Sequence, residues 1–220
     1  MICCLPLLAS AQFSIGFQGG GNLSKMDFTN NQEYTYTEID NKQGFTGGIV
    51  LQFLGEKHAG VQAEFNYSQR GWIENDTSGV EYFKYKNKMD YLEMPIISHI
   101  NIGGGKLRGV FNIGPYVGYA LNRSITTENV DTGTSETTEY SFDNKRDNQF
   151  DFGLIVGGGM EYRLKVGKIT AEARYTVGLG DINKEKIYQS ELSQFRIITI
   201  LARYTFPLIK PKTDQEITDQ

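Results

Sequence analysis

Residues 60–71, GVQAEFNYSQRG, constrain the fold more than any other part of the chain. Taken alternately, Val61, Ala63, Phe65 and Tyr67 fall on one side, and Gln62, Glu64, Asn66, Ser68 and Arg70 on the other. Strict period-2 alternation describes a strand with one apolar and one polar face. A helix over the same residues would scatter Glu64 and Arg70 among the aromatics.

Seven more segments carry the same pattern. Residues 13–23 set Phe13, Ile15, Phe17 and Leu23 against Ser14, Gln18 and Asn22; residues 44–54 put Phe45, Ile49, Leu51 and Phe53 in phase. In 91–101, Leu92, Met94, Ile96 and Ile100 oppose Glu93, Pro95 and His99, and the proline predicts a bulge. In 107–121, Phe111, Ile113, Val117 and Tyr119 oppose Arg108, Asn112 and Tyr116. In 150–162, Phe150, Phe152, Leu154, Val156 and Met160 oppose Asp151 and Glu161. In 169–179, Ile169, Ala171, Tyr175 and Val177 oppose Glu172 and Arg174; in 197–206, Ile198, Ile200, Tyr204 and Phe206 oppose Thr199 and Arg203. In this register the apolar faces contain no Asp, Glu, Lys or Arg. Abundant glycine (25), Tyr and Phe (13 each) with only 5 prolines suits a many-stranded chain.

The connections alternate in length. Short turns fall at 55–58, 102–106 and 163–168, and long polar links at 25–43, 72–88, 123–149 and 180–194. The longest contains the Thr-, Glu- and Asp-rich run 126–140, read as a solvated surface loop. Tight turns at one end and long links at the other follow the plan of an outer-membrane barrel, with both termini in the periplasm.

A soluble, lipocalin-like barrel also has eight strands, with its apolar face inward. Three features favour the membrane version. The expected inner face is glycine-rich (Gly16, Gly20, Gly48, Gly114, Gly118, Gly153, Gly157, Gly159), as suits a narrow lumen. The strands are long enough to cross a bilayer at a tilt. Aromatics sit near strand ends (Phe13, Phe53, Tyr67, Tyr119, Phe150, Tyr162, Phe206), where interfacial girdles form. The expected fold is all-β: an eight-stranded antiparallel up-and-down transmembrane β-barrel over 12–206, in the cell outer membrane. Residues 1–11 read as a signal peptide, with an apolar run at 2–9 and an A-x-A-like site at Ala9-Ser10-Ala11, and 207–220 as a periplasmic tail. Cys3 and Cys4 precede the expected cut, so no thiol chemistry is expected of the mature chain.

The stretches GGGNLSK (19–25), GFTGGIVLQF (44–53), AEFNYSQRG (63–71), YLEMPIISHI (91–100), NIGPYVGYAL (112–121), DFGLIVGGGMEY (151–162) and ARYTVGLGDI (173–182) resemble the PorT-type outer-membrane β-barrel proteins of Bacteroidota. The resemblance covers roughly 13–206. It implies an eight-stranded barrel, and its namesake's link to type IX protein secretion makes an accessory secretion subunit one alternative role.

The expected lumen face collects Glu64, Arg70, Glu93, Arg108, Asp151, Glu161, Glu172, Arg174 and Arg203, five acids and four bases. Buried charges are costly unless paired, and an eight-stranded interior is just wide enough for side chains to fill. A closed plug of salt bridges is therefore expected in preference to an ion path. An outer-membrane enzyme such as a lipid A palmitoyltransferase would need a histidine near the outer rim. The chain has only His58 and His99, both at the turn end, so no enzymatic activity is expected. The glycine clusters 19–21, 103–105 and 157–159 lack GxxxxGK[ST] spacing. No cofactor or metal site is expected. A net charge of -4 gives no nucleic-acid footprint. The expected partners are outer-membrane lipid and other outer-membrane or secretion proteins, and the expected role is structural or interactive.

Overall fold

The computed structural model describes residues 12–29, 37–55, 58–76, 82–143, 147–182 and 192–209. The signal segment, most of the tail, parts of all four long links and two residues of the 55–58 turn lie outside these residues. Nine strands follow in chain order: β1 (Gln12–Thr29), β2 (Thr37–Leu54), β3 (Ala59–Asp76), β4 (Phe83–Ile102), β5 (Leu107–Asn129), β6 (Thr134–Tyr140), β7 (Phe150–Arg163), β8 (Lys168–Gly178) and β9 (Leu192–Ile209). Eight of them close into an antiparallel ring, β1-β2-β3-β4-β5-β7-β8-β9, with β9 paired back onto β1. Closure leaves no sheet edge in the bilayer, where an unpaired backbone group has no water to bond.

The inside–outside assignment matches the alternation on every ring strand. Phe17, Phe65, Ile96, Phe152 and Ile200 are exposed on the outer wall, while their neighbours Gln18, Glu64, Ile97, Asp151 and Leu201 are buried in the lumen. The expected bulge at Pro95 does not form. The β4–β5 register is the same on both sides of Pro95 and shifts instead between Asp90 and Tyr91, higher on the strand.

The larger departure lies in the long links. Strand structure continues well into three of them, so that β1–β4 and β9 run 18–20 residues and β5 runs 23. About 10 residues suffice to span a bilayer at a tilt. The acidic run expected as a loop folds instead into a hairpin, with β6 paired to Arg123–Asn129 of β5. β7 and β8, at 14 and 11 residues, stop near the membrane. The extension is therefore a wall on one side of the barrel. β9 ends at Ile209, three residues beyond the expected barrel boundary.

Inside this extension the polarity inverts. Met26, Trp72, Met89, Tyr91, Phe195 and Ile197 form a buried apolar cluster, with Phe28, Ile39 and Phe142 packed against it. By the plan of bacterial barrels, the long-connection end faces the exterior and the short-turn end the periplasm. The lumen is thus polar at membrane depth and apolar above it.

Candidate functional site

The lumen holds its polar side chains in three stacked groups. Their positions follow from strand register, because inward residues recur every second position.

The lowest group, at the periplasmic end, joins β2, β3, β4, β5, β7 and β8. Lys168 donates its amine to Gln52 Oε1 at 2.6 Å across the barrel and lies 3.3 Å from Glu161. Gln52 donates to Gln62 Oε1 at 3.2 Å. The His99 ring meets Asn112 Oδ1 at 2.7 Å, and its other nitrogen is 3.9 Å from Glu161.

The middle group centres on Glu64. Arg174 reaches it with both terminal nitrogens, Nη1 at 2.8 Å and Nη2 at 2.6 Å, and Arg174 Nε donates to Glu172 at 2.7 Å. Arg203 bridges the same two acids, at 2.9 Å to Glu172 and 3.4 Å to Glu64, and donates to Gln18 and Gln62. Gln18, Gln62 and Asn66 also donate to Glu64. A carboxylate with this many donors is fully compensated for leaving water. Gly157 makes the packing possible: a Cβ there would come within 2.6 Å of Glu172 Oε1 and 2.9 Å of Arg174 Cγ.

The upper group is built on Arg70. Its Nε donates to Glu93 at 2.8 Å and its Nη1 to Asp151 at 2.6 Å, while Tyr116 donates to the same Asp151 oxygen at 2.7 Å. The guanidinium carbon lies 4.7 Å from the Tyr91 ring centroid, 5.2 Å from Tyr116 and 5.6 Å from Phe195. Desolvated cation–π contacts of this kind can reach about 2 kcal/mol or more each. Phe195 and Tyr91 also belong to the apolar cluster above, so the ion-pair lock and the exterior core share side chains.

Between the Arg70 and Arg174 groups lies a void of about 20 Å³, lined by Gln18, Asn22, Asn66, Arg70, Glu93 and Arg174 among others. That is room for about one water.

Of the nine charged residues expected on the lumen face, Glu64, Arg70, Glu93, Asp151, Glu161, Glu172, Arg174 and Arg203 are buried in these groups. Arg108 instead stands half-exposed at the periplasmic mouth and donates to the Gly105 carbonyl at 3.4 Å, because its strand position is at the last turn. Sequence reasoning missed Lys168, assigned to a turn, whose amine folds back into the lumen. It also missed the neutral residues Gln18, Gln52 and Gln62. Their inward phase was the available signal, but attention to charge alone passes over them. His58 precedes β3 and is exposed, and His99 is fully buried at the same end.

The fold finds counterparts among known proteins. OprG of Pseudomonas aeruginosa, an outer membrane protein, superposes with a TM-score of 0.51 at 12% identity, covering 91% of this chain and 98% of OprG. Ail, the attachment invasion locus protein of Yersinia pestis, is similar at a TM-score of 0.43 and 14% identity, covering 88% of this chain and 98% of Ail. At these identities the likeness concerns the fold alone. No curated protein sequence matches the chain. The family model for the outer membrane protein beta-barrel domain matches residues 9–184, most of the sequence. The chain belongs to that outer-membrane β-barrel family, and the outer membrane is its location.

Proposed function

We propose that this barrel is a closed, non-conducting outer-membrane scaffold that works by presenting its exterior wall to partners. The observation that carries this reading is the filled lumen. Charged groups anchored on Glu64 and Arg70 close it at membrane depth, and an apolar core closes it again above. An ion crossing this path would have to break several buried pairs at once, each costing about 3–5 kcal/mol when one partner is removed. The eight expected charges that lie buried in the lumen act here as structural ballast, with no catalytic role assigned to any of them.

The strand extensions give the scaffold its working surface. β1–β6 and β9 rise above the bilayer on one side, and their shared core holds them rigid. A rigid wall suits protein recognition because little entropy is lost on docking. The narrower reading, an accessory subunit of a type IX-like secretion machine, draws on the resemblance to PorT-type proteins of Bacteroidota alone.

Planar-bilayer recording of the purified barrel tests closure: no steady current is expected, and an ohmic conductance would overturn the reading. Gentle-detergent purification from the native outer membrane tests the scaffold role. Stoichiometric co-purifying proteins are expected, and a clean monomer would remove the partner half of the proposal.

A further inference from the structure

Two cations stand side by side on the outer wall. Lys25 of β1 and Arg196 of β9 are direct cross-strand partners. Their chain neighbours Met26 and Phe195 are buried, so Lys25 and Arg196 both face outward. They sit one outward position above Leu23 and Ile198, at the upper rim of the apolar belt. Like charges directly opposite in a sheet repel. Among the described residues the acid that meets them is Asp27, itself 53% exposed, 3.6 Å from Arg196. Arg196 is also fixed from behind by the carbonyls of Gly178 and Phe195, at 3.1 and 3.2 Å. Lys25 has no ion pair among the described residues.

Below the pair, and extending from β9 across β8 and β7 to β5, the lipid-facing wall is hollowed. An open trough of about 450 Å³ runs over Gly158 and Ala173, between Phe111, Val156, Tyr175 and Ile198. Gly158, with no side chain, and Ala173, with a single methyl, are cross-strand partners and form the floor. The trough and the cation pair share a strand. Ile198 lines the trough and lies two residues from Arg196, on the same outward face of β9.

We infer that this is a docking surface for one phosphate-bearing lipid of the outer leaflet. Its phosphate bridges Lys25 and Arg196, and an acyl chain descends past Ile198 into the trough. Charge complementarity selects the headgroup: an anion relieves the Lys25–Arg196 repulsion, and a guanidinium matches phosphate geometry. Depth selects a lipid over a soluble anion, since the cations lie where the headgroups begin and the hollow lies within hydrocarbon.

The test is native mass spectrometry of the folded barrel in mild detergent, with diphosphorylated lipid A and its dephosphorylated counterpart as probes. One tightly held lipid A per barrel is expected. Lys25→Gln with Arg196→Gln should weaken retention by roughly tenfold or more, as the loss of two basic residues at a membrane surface implies. Lys25→Gln alone, which removes no ion pair among the described residues, should weaken it several-fold and keeps the test valid if the double variant misfolds. Ala173→Phe should weaken retention by filling the trough with both cations intact. Equal retention of the dephosphorylated lipid, or no response to Lys25→Gln, would overturn the proposal. Complete displacement by inorganic phosphate would also overturn it, in favour of a free-anion site.

Discussion

Arg174 of β8 grips Glu64 of β3 from the opposite wall of the barrel, with guanidinium nitrogens 2.6 and 2.8 Å from the two carboxylate oxygens. β3 and β8 stand four strands apart in either direction round the ring. The pair therefore ties the lumen across its full width, and register alone brings its two halves to one height.

Breaking that tie should be costly. Arg174→Ala leaves Glu64 buried with part of its charge uncompensated, and a loss of about 3 kcal/mol or more is expected. Replacing both partners, Glu64→Gln with Arg174→Met, should cost clearly less, because no unpaired charge remains. Urea unfolding in detergent measures both. If the charge reversal Arg174→Glu left heat resistance unchanged, mutual pairing would not be what holds the lumen.

The sole tryptophan reports on the exterior core. Trp72 is 4% exposed and packs edge-on against Phe28 and Phe195, with the Arg123 guanidinium 5.4 Å from its ring. Its emission should be blue-shifted and protected from iodide in the folded barrel. Phe195→Ala should shift it red and cost about 3–5 kcal/mol, the usual range for a buried Phe.

Glycines on the two faces should respond oppositely to enlargement. On Gly16, facing the lumen, a Cβ would collide with the Tyr204 carbonyl oxygen and with Thr205. Gly19 faces outward, and its nearest neighbour would be 3.8 Å away. Gly16→Val should abolish the heat-resistant folded band on a gel, whereas Gly19→Val should leave it intact.

One carboxylate above the membrane gives a pH signature. The Lys86 amine, 2.5 Å from Glu128, holds that carboxyl below the ordinary glutamate value. A depressed folded value means stabilisation that is full above the unfolded glutamate range and lost as pH falls through the lowered value. The pair is exposed, so the effect on stability is small and screened by salt. An NMR titration of Glu128 should show the low midpoint, and Lys86→Gln should move it back towards the ordinary glutamate value, with Lys84 still lowering it slightly.

Most of the membrane-spanning fold was legible as alternation, because the bilayer enforces it residue by residue. Apolar side chains such as Phe65 and Ile200 must face lipid, and Glu64 and Arg203 must not. The extensions were not legible, for a physical reason visible on β1. Within the bilayer the apolar residues are odd-numbered, Phe13, Ile15, Phe17 and Leu23; above it they are even-numbered, Met26 and Phe28. Once a strand leaves lipid its outer face meets water, so the apolar residues move to the inside and the phase of the pattern flips. β9 repeats this, with Ile198 and Ile200 outward but Phe195 and Ile197 buried within. Read for a single phase, such a strand ends at the flip and its remainder looks like a polar loop.

The sequence by itself determined which face of each strand meets lipid, since that choice depends only on the residue and the solvent beside it. It also determined that the inward charges were nearly balanced. Which acid meets which base was decided only by the closed ring. Shear and register bring Glu64 to Arg174 and Arg203, and Arg70 to Glu93 and Asp151, while Arg108 is left at the mouth. Pairings between residues 81 and 139 positions apart are set by how strands align round the barrel, and no local pattern in the chain encodes that alignment.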